Sequence, residues 1–324
     1  ATEGLMKLRQ VQASEDGLPA PTVADIAVEV RGSSIGDAQE QTRKELIVAR
    51  HLADPDVAKA PTLGEAFKIL KKKEATKKNA ALAESVGRTF TSKSHTLLNE
   101  DSLAWMANQP ADKFGVILTD PPYGIGADEF GDSGQGASVQ THAYDDSYET
   151  WRAMVPVFAR ETFRVGAVSA CAYVFCDPER FPELRGAMQA AGWRVFRTPL
   201  VWHNPDGFRA PWPRQGPQRK YETVLFAVKG DRETNFVAGD VLTFRKDAAL
   251  GHPAQKPVAL LAELLKRSAK PDDVVLDPFA GSGATIEACN ELKLSCVALE
   301  MDAASYGIAL KRLQGLSSND EGLF

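Results

Sequence analysis

Four consecutive residues near the middle of the chain, Asp120-Pro121-Pro122-Tyr123, carry groups that could hold and orient a planar amine. The Asp120 carboxylate and the Pro121 carbonyl accept hydrogen bonds, while Tyr123 offers an aromatic ring. The two prolines restrict the backbone, so the acceptors are preorganised. The motif directly follows the apolar run FGVILT, which predicts a buried strand ending at a ligand-binding edge. A strand-ending turn is the alternative, because Asp and Pro are common in turns.

A second group of residues, also directly after an apolar run, has the composition of a cofactor-binding loop. It reads Asp277-Pro278-Phe279-Ala280-Gly281-Ser282-Gly283 and precedes a predicted helix. Its glycines allow a ligand to approach the backbone closely and allow a tight turn into the helix. Glu300 ends the next predicted strand, SCVALE, where an acid suits the hydroxyls of a ribose. No G-K-[ST] follows, which argues against a phosphate-binding loop, but the glycines alone leave a dinucleotide site open.

Alternating strands and helices must position these two motifs. From residue 96 onward, this alternation predicts a mostly parallel sheet with helices on both faces. The predicted strands are 96–101, 114–120, 167–177, 193–204, 220–230, 273–277 and 295–302. The predicted helices are 103–109, 148–164, 182–192, 257–270 and about 284–292. Residues 1–90 are nearly free of aromatic residues and predict a helical region, with helices over 37–51 and from Thr62 to Gly87.

The composition excludes several other classes of protein. The chain has 324 residues, of which 44% are hydrophobic and 25% charged, as is typical of globular proteins. No apolar stretch is long enough for a membrane span, and the N-terminus lacks a signal-peptide pattern. The four cysteines and five histidines show no metal-ligand spacing. We therefore expect no metal site and a cytoplasmic location.

The two motifs together resemble those of the DNA amino-methyltransferases, which use S-adenosylmethionine to methylate adenine N6 or cytosine N4. Residues 277–283 resemble their cofactor loop and residues 120–123 their catalytic loop. Because the catalytic motif comes first, the order resembles that of the permuted β group. Two more segments are similar to family motifs: Asn99-Glu100-Asp101-Ser102-Leu103, which matches the acidic segment at the cofactor's adenine, and His252-Pro253-Ala254-Gln255-Lys256-Pro257, which matches the segment flanking its methionine part. The resemblance covers about residues 96–312.

This resemblance implies a Rossmann-like, S-adenosylmethionine-dependent methyltransferase fold with permuted connectivity. It separates a helical N-terminal region (1–90), which could act as a DNA-binding arm, from a methyltransferase domain (91–324). The implied catalytic residues are Asp120, Pro121, Pro122 and Tyr123. The implied cofactor-binding residues are Asp101, Ser102, Asp120, His252, Lys256, Asp277, Phe279, Ala280, Gly281, Ser282, Gly283 and Glu300. Dimers occur in the group, so a homodimer is implied as well.

The chemistry of the implied reaction explains these residue types. The exocyclic amine of adenine is a poor nucleophile, because its lone pair is delocalised into the ring. Hydrogen bonds from the amine to Asp120 and to the Pro121 carbonyl favour a more tetrahedral nitrogen, and Tyr123 can stack on a base flipped out of the duplex. The family's cytosine enzymes commonly carry Ser at the position of Asp120, so adenine N6 is favoured. Cytosine N4 methylation and a non-catalytic, cofactor-binding DNA-binding protein are the alternatives.

Two segments are candidates for contact with double-stranded DNA, which must rely on local patches because the net charge is −5. Residues 203–220 interleave aromatic and basic side chains at the position of the family's target-recognition segment. The DNA-contact candidates there are Phe208, Arg209, Trp212, Arg214, Arg219 and Lys220. A predicted helix carries a lysine cluster that includes Lys71, Lys72 and Lys73. A Pro/Arg-rich surface loop and a solvated helix face are the respective alternatives. The short recognition segment leaves site-specific and low-specificity methylation both open.

Overall fold

The computed structural model describes residues 2–15, 19–32, 36–92, 94–124, 147–207, 217–247 and 255–321. The chain divides into two compact units, residues 1–76 and 77–324. The division falls inside a helix, whereas the sequence placed the domain boundary after residue 90.

The first unit is helical, and its helices are amphipathic enough to bury two small apolar clusters. The helices are α1 (Thr2–Glu15), α2 (Val23–Arg31), α3 (Asp37–Ala49), α4 (Pro55–Ala58) and α5 (Leu63–Val86), of which α5 ends in the second unit. One cluster contains Met6, Ile26 and Leu46, and the other contains Val57 and Phe67. Helices α3 and α5 match the predicted helices closely. Helices α1 and α2 were not predicted.

Ten strands of the described residues form one sheet in the second unit. They are β1 (Thr89–Ser92), β2 (His95–Leu98), β3 (Phe114–Thr119), β4 (Gly166–Cys176), β5 (Arg194–Val195), β6 (Leu200–His203), β7 (Tyr221–Val228), β8 (Val241–Thr243), β9 (Val274–Asp277) and β10 (Ser295–Leu299). The strand order is β1-β2-β10-β9-β3-β4-β7-β6-β8, and β5 pairs with β7. The five strands from β2 to β4 in this order are mutually parallel, while β1 and β7 run antiparallel to their neighbours.

Helices cover both faces of this sheet, which explains why every residue of β3 is buried. The helices of this unit are α6 (Ser102–Ala107), α7 (Tyr148–Val165), α8 (Phe181–Ala191), α9 (Val258–Ser268), α10 (Ala284–Glu291) and α11 (Ala303–Glu321). Leu118 of β3 belongs to an apolar cluster with α9 and α10, whereas Ile117 belongs to a second cluster with α7 and α8. The expectation of a mostly parallel sheet covered on both faces is confirmed.

The observed strands and helices differ from the predicted ones in the outer strands of the sheet and near the ends of the chain. The predicted strand over 193–204 is broken into β5 and β6, because the intervening segment contains Pro199, which has no N–H to donate to a ladder. Strands β1 and β8 have only four and three residues, too few for a clear periodic pattern. Helix α11 was also not predicted. Within the described part of the chain, every helix is too short or too polar to cross a membrane.

Candidate functional site

Acidic side chains follow five neighbouring parallel strands at one edge of the sheet. Glu300 follows β10, Asp277 ends β9, Asp120 follows β3 and Asp177 follows β4, while Asp101 lies three residues beyond β2. Because the carboxyl ends of parallel strands lie on the same side of a sheet, these acids form one continuous row there. The two sequence motifs occupy neighbouring places in it, since β3 pairs with β9.

A buried hydrogen bond joins the strand of one motif to the loop of the other. The Thr119 hydroxyl, on the last residue of β3, donates to Asp277 Oδ1 over 2.7 Å. The same oxygen accepts from the backbone N–H of Phe279 over 3.1 Å, which turns the loop after β9. The pKa of Asp277 is raised to about 6 by burial, although these hydrogen bonds favour its charged form. Thr119 was not among the predicted site residues.

The glycines of the loop serve two different purposes. Gly281 has φ 52° and donates its N–H to Glu300 Oε2 over 2.8 Å. Gly283 has φ 78°, and a Cβ atom there would lie 3.0 Å from Cβ of Ala309 in α11. Left-handed backbone and close packing therefore both require glycine at position 283.

The Glu300 carboxylate is held by backbone groups of its surroundings. Its Oε1 accepts from the N–H of Asp302 over 2.8 Å, and its Oε2 accepts from Gly281. The Asn99 side-chain amide donates to the carbonyl oxygens of Glu300 and Met301, over 2.8 and 3.0 Å. Burial raises the pKa of the Glu300 carboxyl to about 7. The carboxylate is thus fixed in place and poorly solvated, which suits an acceptor for ligand hydroxyls.

Asp101 and Ser102 begin the short helix α6 at the end of the row. Asp101 is the N-cap residue, and its Oδ1 accepts from the N–H of Ala104 over 2.9 Å. Its side chain is exposed, while Ser102 is buried. Asp101 therefore caps α6 through one carboxylate oxygen, Oδ1.

The Asp120 carboxylate is occupied on both oxygens by side chains. The Tyr123 hydroxyl donates to Oδ1 over 2.6 Å, and Lys256 Nζ donates to Oδ2 over 2.5 Å. Lys256, predicted beside the methionine part of a cofactor, thus contacts the motif of Asp120 directly. Its neighbour Gln255 accepts from the Ser282 hydroxyl over 3.4 Å, which brings this segment to the glycine loop as well.

A second carboxylate, Glu222 of β7, completes the cluster around Lys256. Glu222 Oε2 lies 3.1 Å from Lys256 Nζ and 3.3 Å from the Tyr123 hydroxyl. The Lys256 ammonium is also 5.5 Å from the Tyr123 ring centroid and 5.2 Å from that of Phe175. Glu222 was not among the site residues predicted from sequence, and the only sign of it there was an acid within a strongly apolar strand.

Burial is the largest single influence on the pKa of Asp120, Tyr123 and Lys256. It raises the pKa of Asp120, and the opposing effect of the Lys256 ammonium is smaller. Burial also raises the pKa of Tyr123 well above its usual value, so the phenol stays protonated. For Lys256, burial works to lower the pKa, but the Asp120 and Glu222 carboxylates outweigh it and the pKa is raised. Lys256 is therefore charged.

The basic residues proposed from sequence for DNA contact are held in several ways. Arg219 Nη1 pairs with Asp177 Oδ2 over 2.7 Å, and Lys220 Nζ donates to the carbonyl of Pro205 over 2.8 Å. Both thus tie residues 217–220 to the sheet edge. Phe208, Arg209, Trp212, Arg214 and His252 lie outside the described residues.

The lysines of α5 are exposed, but they are not equivalent. Lys73 Nζ lies 2.6 Å from Asp54 and 2.7 Å from Asp56, which partly neutralise it. Lys71 Nζ lies 5.1 Å from the Phe67 ring centroid. The described residues contain no group of three or more His, Cys, Asp or Glu that could hold a metal ion.

A family model, a sequence relative and two solved structures all relate the chain to DNA methyltransferases. A family model described as DNA methylase matches residues 114–250 and 243–311, more than half of the chain. The chain is 24% identical over 268 residues to the DNA adenine methyltransferase YhdJ of Escherichia coli (strain K12), covering 69% of this chain and 84% of that protein. The crystal structure of the M1.HpyAVI-SAM complex matches with a TM-score of 0.51 and 21% identity, over 67% of this chain and 99% of that one. The cytosine-N4-specific PvuII DNA methyltransferase matches with a TM-score of 0.53 and 16% identity, over 71% and 93%.

Proposed function

Since the chain belongs to the N6/N4 DNA methylase family, we propose that it transfers a methyl group from S-adenosylmethionine to adenine N6 in double-stranded DNA. The observation that carries this proposal is the joining of the two motifs at neighbouring strand ends. Thr119, one residue before Asp120, hydrogen-bonds Asp277 at the start of the glycine loop. A cofactor held at the loop would therefore lie beside an amine held at Asp120.

The residues along the sheet edge fit S-adenosylmethionine, which supplies a methyl group activated by a sulfonium. The nucleoside of this cofactor presents ribose hydroxyls and an adenine amine, which are donors and need acceptors. Glu300 is a fixed, partly buried acceptor, and Asp101 is an exposed acid at the end of the same row. We assign Glu300 to the ribose and Asp101 to the adenine. The proposed cofactor site also includes Phe279, the residues from Ala280 to Gly283, Ser102, Asp277, His252 and Lys256.

The chain's own residues prepare the target amine. Asp120 and the Pro121 carbonyl accept hydrogen bonds from its two N–H groups, which directs the nitrogen lone pair toward the methyl group. The N–C bond would form as the methyl–sulfur bond breaks and a neutral thioether leaves, and the proton that the methylated nitrogen loses would pass along its hydrogen bond to Asp120. The Lys256 ammonium opposes the effect of burial on Asp120 and so favours the ionised, accepting form. Tyr123 is proposed to stack on the flipped base, and the two acceptors near its hydroxyl, Asp120 and Glu222, fix the orientation of its ring.

Adenine is preferred to cytosine for two reasons. Asp120 stands where the cytosine enzymes of the resembled group commonly carry Ser. The relative YhdJ is named as a DNA adenine methyltransferase. The amines of the two bases present the same donor geometry, so cytosine N4 is the alternative that an experiment must separate.

The test is nucleoside mass spectrometry on unmethylated plasmid DNA incubated with the protein and S-adenosylmethionine. The proposal predicts N6-methyladenine, and mapping its positions would show how selective the enzyme is. N4-methylcytosine would contradict the choice of base while leaving the reaction class intact. Cofactor binding without any methylated base in DNA would favour the non-catalytic alternative.

Contact with DNA is proposed for two regions. Arg219 and Lys220 hold residues 217–220 at the carboxyl ends of the strands. The aromatic and basic residues that precede them in the sequence are proposed to contact DNA. Lys71, Lys72 and Lys73 would contact phosphates from α5. A homodimer and a cytoplasmic location stay predictions from the sequence.

A further inference from the structure

Glu222 is a largely buried carboxylate beside the proposed reacting groups, and it has no part in the reaction described above. Its side chain is 13% exposed, and it lies at the second position of β7, next to the carboxyl end of β4. A carboxylate in such a place is costly unless it is paired. Its pairing partners are therefore informative about its role.

Both donors that occupy Asp120 also lie within reach of Glu222. Lys256 Nζ is 2.5 Å from Asp120 Oδ2 and 3.1 Å from Glu222 Oε2. The Tyr123 hydroxyl is 2.6 Å from Asp120 Oδ1 and 3.3 Å from the same Glu222 oxygen. Each donor thus has a near acceptor on the catalytic motif and a second acceptor on β7.

This duplication matters because the proposed reaction needs Asp120 as an acceptor for the amine. With both oxygens already engaged, the carboxylate must exchange at least one partner when the amine arrives. A donor left without an acceptor in a buried site would oppose that exchange. Glu222 offers each donor a charged acceptor without any movement of the backbone.

We propose that Glu222 is a positioning residue that receives the Lys256 ammonium and the Tyr123 hydroxyl when Asp120 turns to the target amine. This inference rests on the proposed amine-methylating function, but it holds for adenine and cytosine alike. Glu222 does not touch the substrate. It acts by keeping the Asp120 carboxylate available.

The charges around this pair fix the direction of the expected pH effect. Among the described residues, the groups that face Asp120 and Glu222 are Lys256, Tyr123, Cys176, Asp277 and, on the side of Glu222, Lys246. Among them, Glu222 raises the pKa of Asp120 by repulsion between the two carboxylates. Removing the charge of Glu222 should therefore let Asp120 ionise at lower pH.

The experiment compares Glu222→Gln and Glu222→Asp in the full chain. Methyl transfer to unmethylated plasmid DNA is followed with labelled S-adenosylmethionine across pH, whichever base accepts the label. For E222Q we expect a fall in kcat of about tenfold or more, from the loss of a charged acceptor, and a shift of the acidic limb to lower pH. E222D keeps the charge and should restore the position of the acidic limb. Glu291→Gln, an exposed change at the end of α10, is the matched control and should change neither quantity.

Two results would overturn the inference. One is an E222Q variant whose kcat and acidic limb match those of the wild type. The other is a fall in kcat in both variants with no movement of the acidic limb, which a loss of packing alone would produce. An absence of transfer by the wild type would instead count against the proposed function. In that case, the Asp120 carboxyl titration by ¹³C NMR, assigned with Asp120→Asn, still decides: the pKa must fall in E222Q, and an unchanged pKa overturns the inference.

Discussion

Glu300 and Asp120 are acids that follow two parallel strands of one sheet, yet the structure holds them in different ways. The Glu300 carboxylate accepts from backbone N–H groups, those of Gly281 and Asp302. The Asp120 carboxylate accepts from a side-chain hydroxyl and a side-chain ammonium. Backbone donors cannot leave without moving the loop, whereas side-chain donors can turn to another acceptor.

The difference corresponds to the two tasks in the proposed reaction. An acid that reads a cofactor keeps the same partners throughout the cycle, and a rigid setting preorganises it. An acid that meets the substrate amine must change partners once per turnover. Glu222, the second acceptor for both donors of Asp120, makes that exchange less costly. Burial raises the pKa of both acids, so burial alone does not distinguish the two settings.

We expect the loss of Asp120 to reduce the rate of methyl transfer more than any other substitution proposed here. Replacing Asp120 by Ala removes the acceptor that orients the amine, and we expect single-turnover methyl transfer to fall by about 10²–10³-fold or more. The measurement is rapid-quench transfer of labelled methyl groups to DNA. Asp272→Ala, an exposed change before the amino end of β9, is the control and should keep the wild-type rate. A rate reduction of less than about threefold would remove Asp120 from the chemistry.

The second prediction concerns Glu300 and its dependence on pH. Because burial raises the pKa of Glu300 to about 7, the carboxylate form that accepts ribose hydroxyls is complete only above that pH. The affinity for S-adenosylmethionine should rise with pH through about 7. Glu300→Gln should weaken binding about 10–100-fold at pH 8, because the ribose would then lack hydrogen bonds to a charged acceptor. Calorimetric titrations of the wild type and variant at several pH values measure both effects.

The variant also supplies its own control for the titration of the cofactor's amino group, which is common to both proteins. The increase of affinity with pH that the wild type shows and E300Q does not show is the contribution of Glu300. Equal pH dependence in the two proteins would contradict the assignment of Glu300 to the ribose. Glu291→Gln should behave as the wild type throughout.

The smallest expected effect concerns the lysines of α5. Lys71 and Lys72 are exposed, whereas Lys73 is paired with Asp54 and Asp56. Replacing Lys71 and Lys72 by Ala should weaken DNA binding and reduce the slope of log K against log salt by about 0.9 for each phosphate that is no longer neutralised. Lys73→Ala should reduce the slope less. Fluorescence anisotropy at several salt concentrations measures the slopes. Identical slopes for the wild type and the variants would show that these lysines form a solvated helix face rather than a DNA contact.

Much of the fold and part of the site could be predicted from sequence. Both motifs directly follow apolar strands, which placed each of them at a strand end where ligands bind. That β3 and β9 are neighbours, which brings the two motifs together, depends on the strand order, and no sequence pattern predicted it. Helices α7 and α8 lie close to their predicted limits because their apolar periodicity and end signals are strong. Strand β8 was missed because three residues at a sheet edge carry too little pattern.

The contacts of Lys256 and Glu222 could not be predicted in the same way. Glu222 lies on an antiparallel strand, and its approach to Tyr123 depends on how β4 separates β3 from β7 in the sheet. Its own type suggested only an exposed strand residue. Lys256 was predicted at the cofactor because its segment resembles a family motif that flanks the methionine part. Its contact with Asp120 depends on side-chain packing across 136 positions of sequence.

The measurement that tests the division of tasks most directly is cofactor binding by Asp120→Ala. Calorimetric titration with S-adenosylmethionine at pH 8 would be made on the same preparation used for the transfer assay. We predict a Kd within about threefold of the wild type, because the glycine loop and Glu300 supply most of the contacts proposed for the cofactor and Asp120 supplies one among many. A Kd weakened in proportion to the fall in transfer rate would contradict this division, since cofactor holding and amine orientation would then not be separate tasks of the two regions.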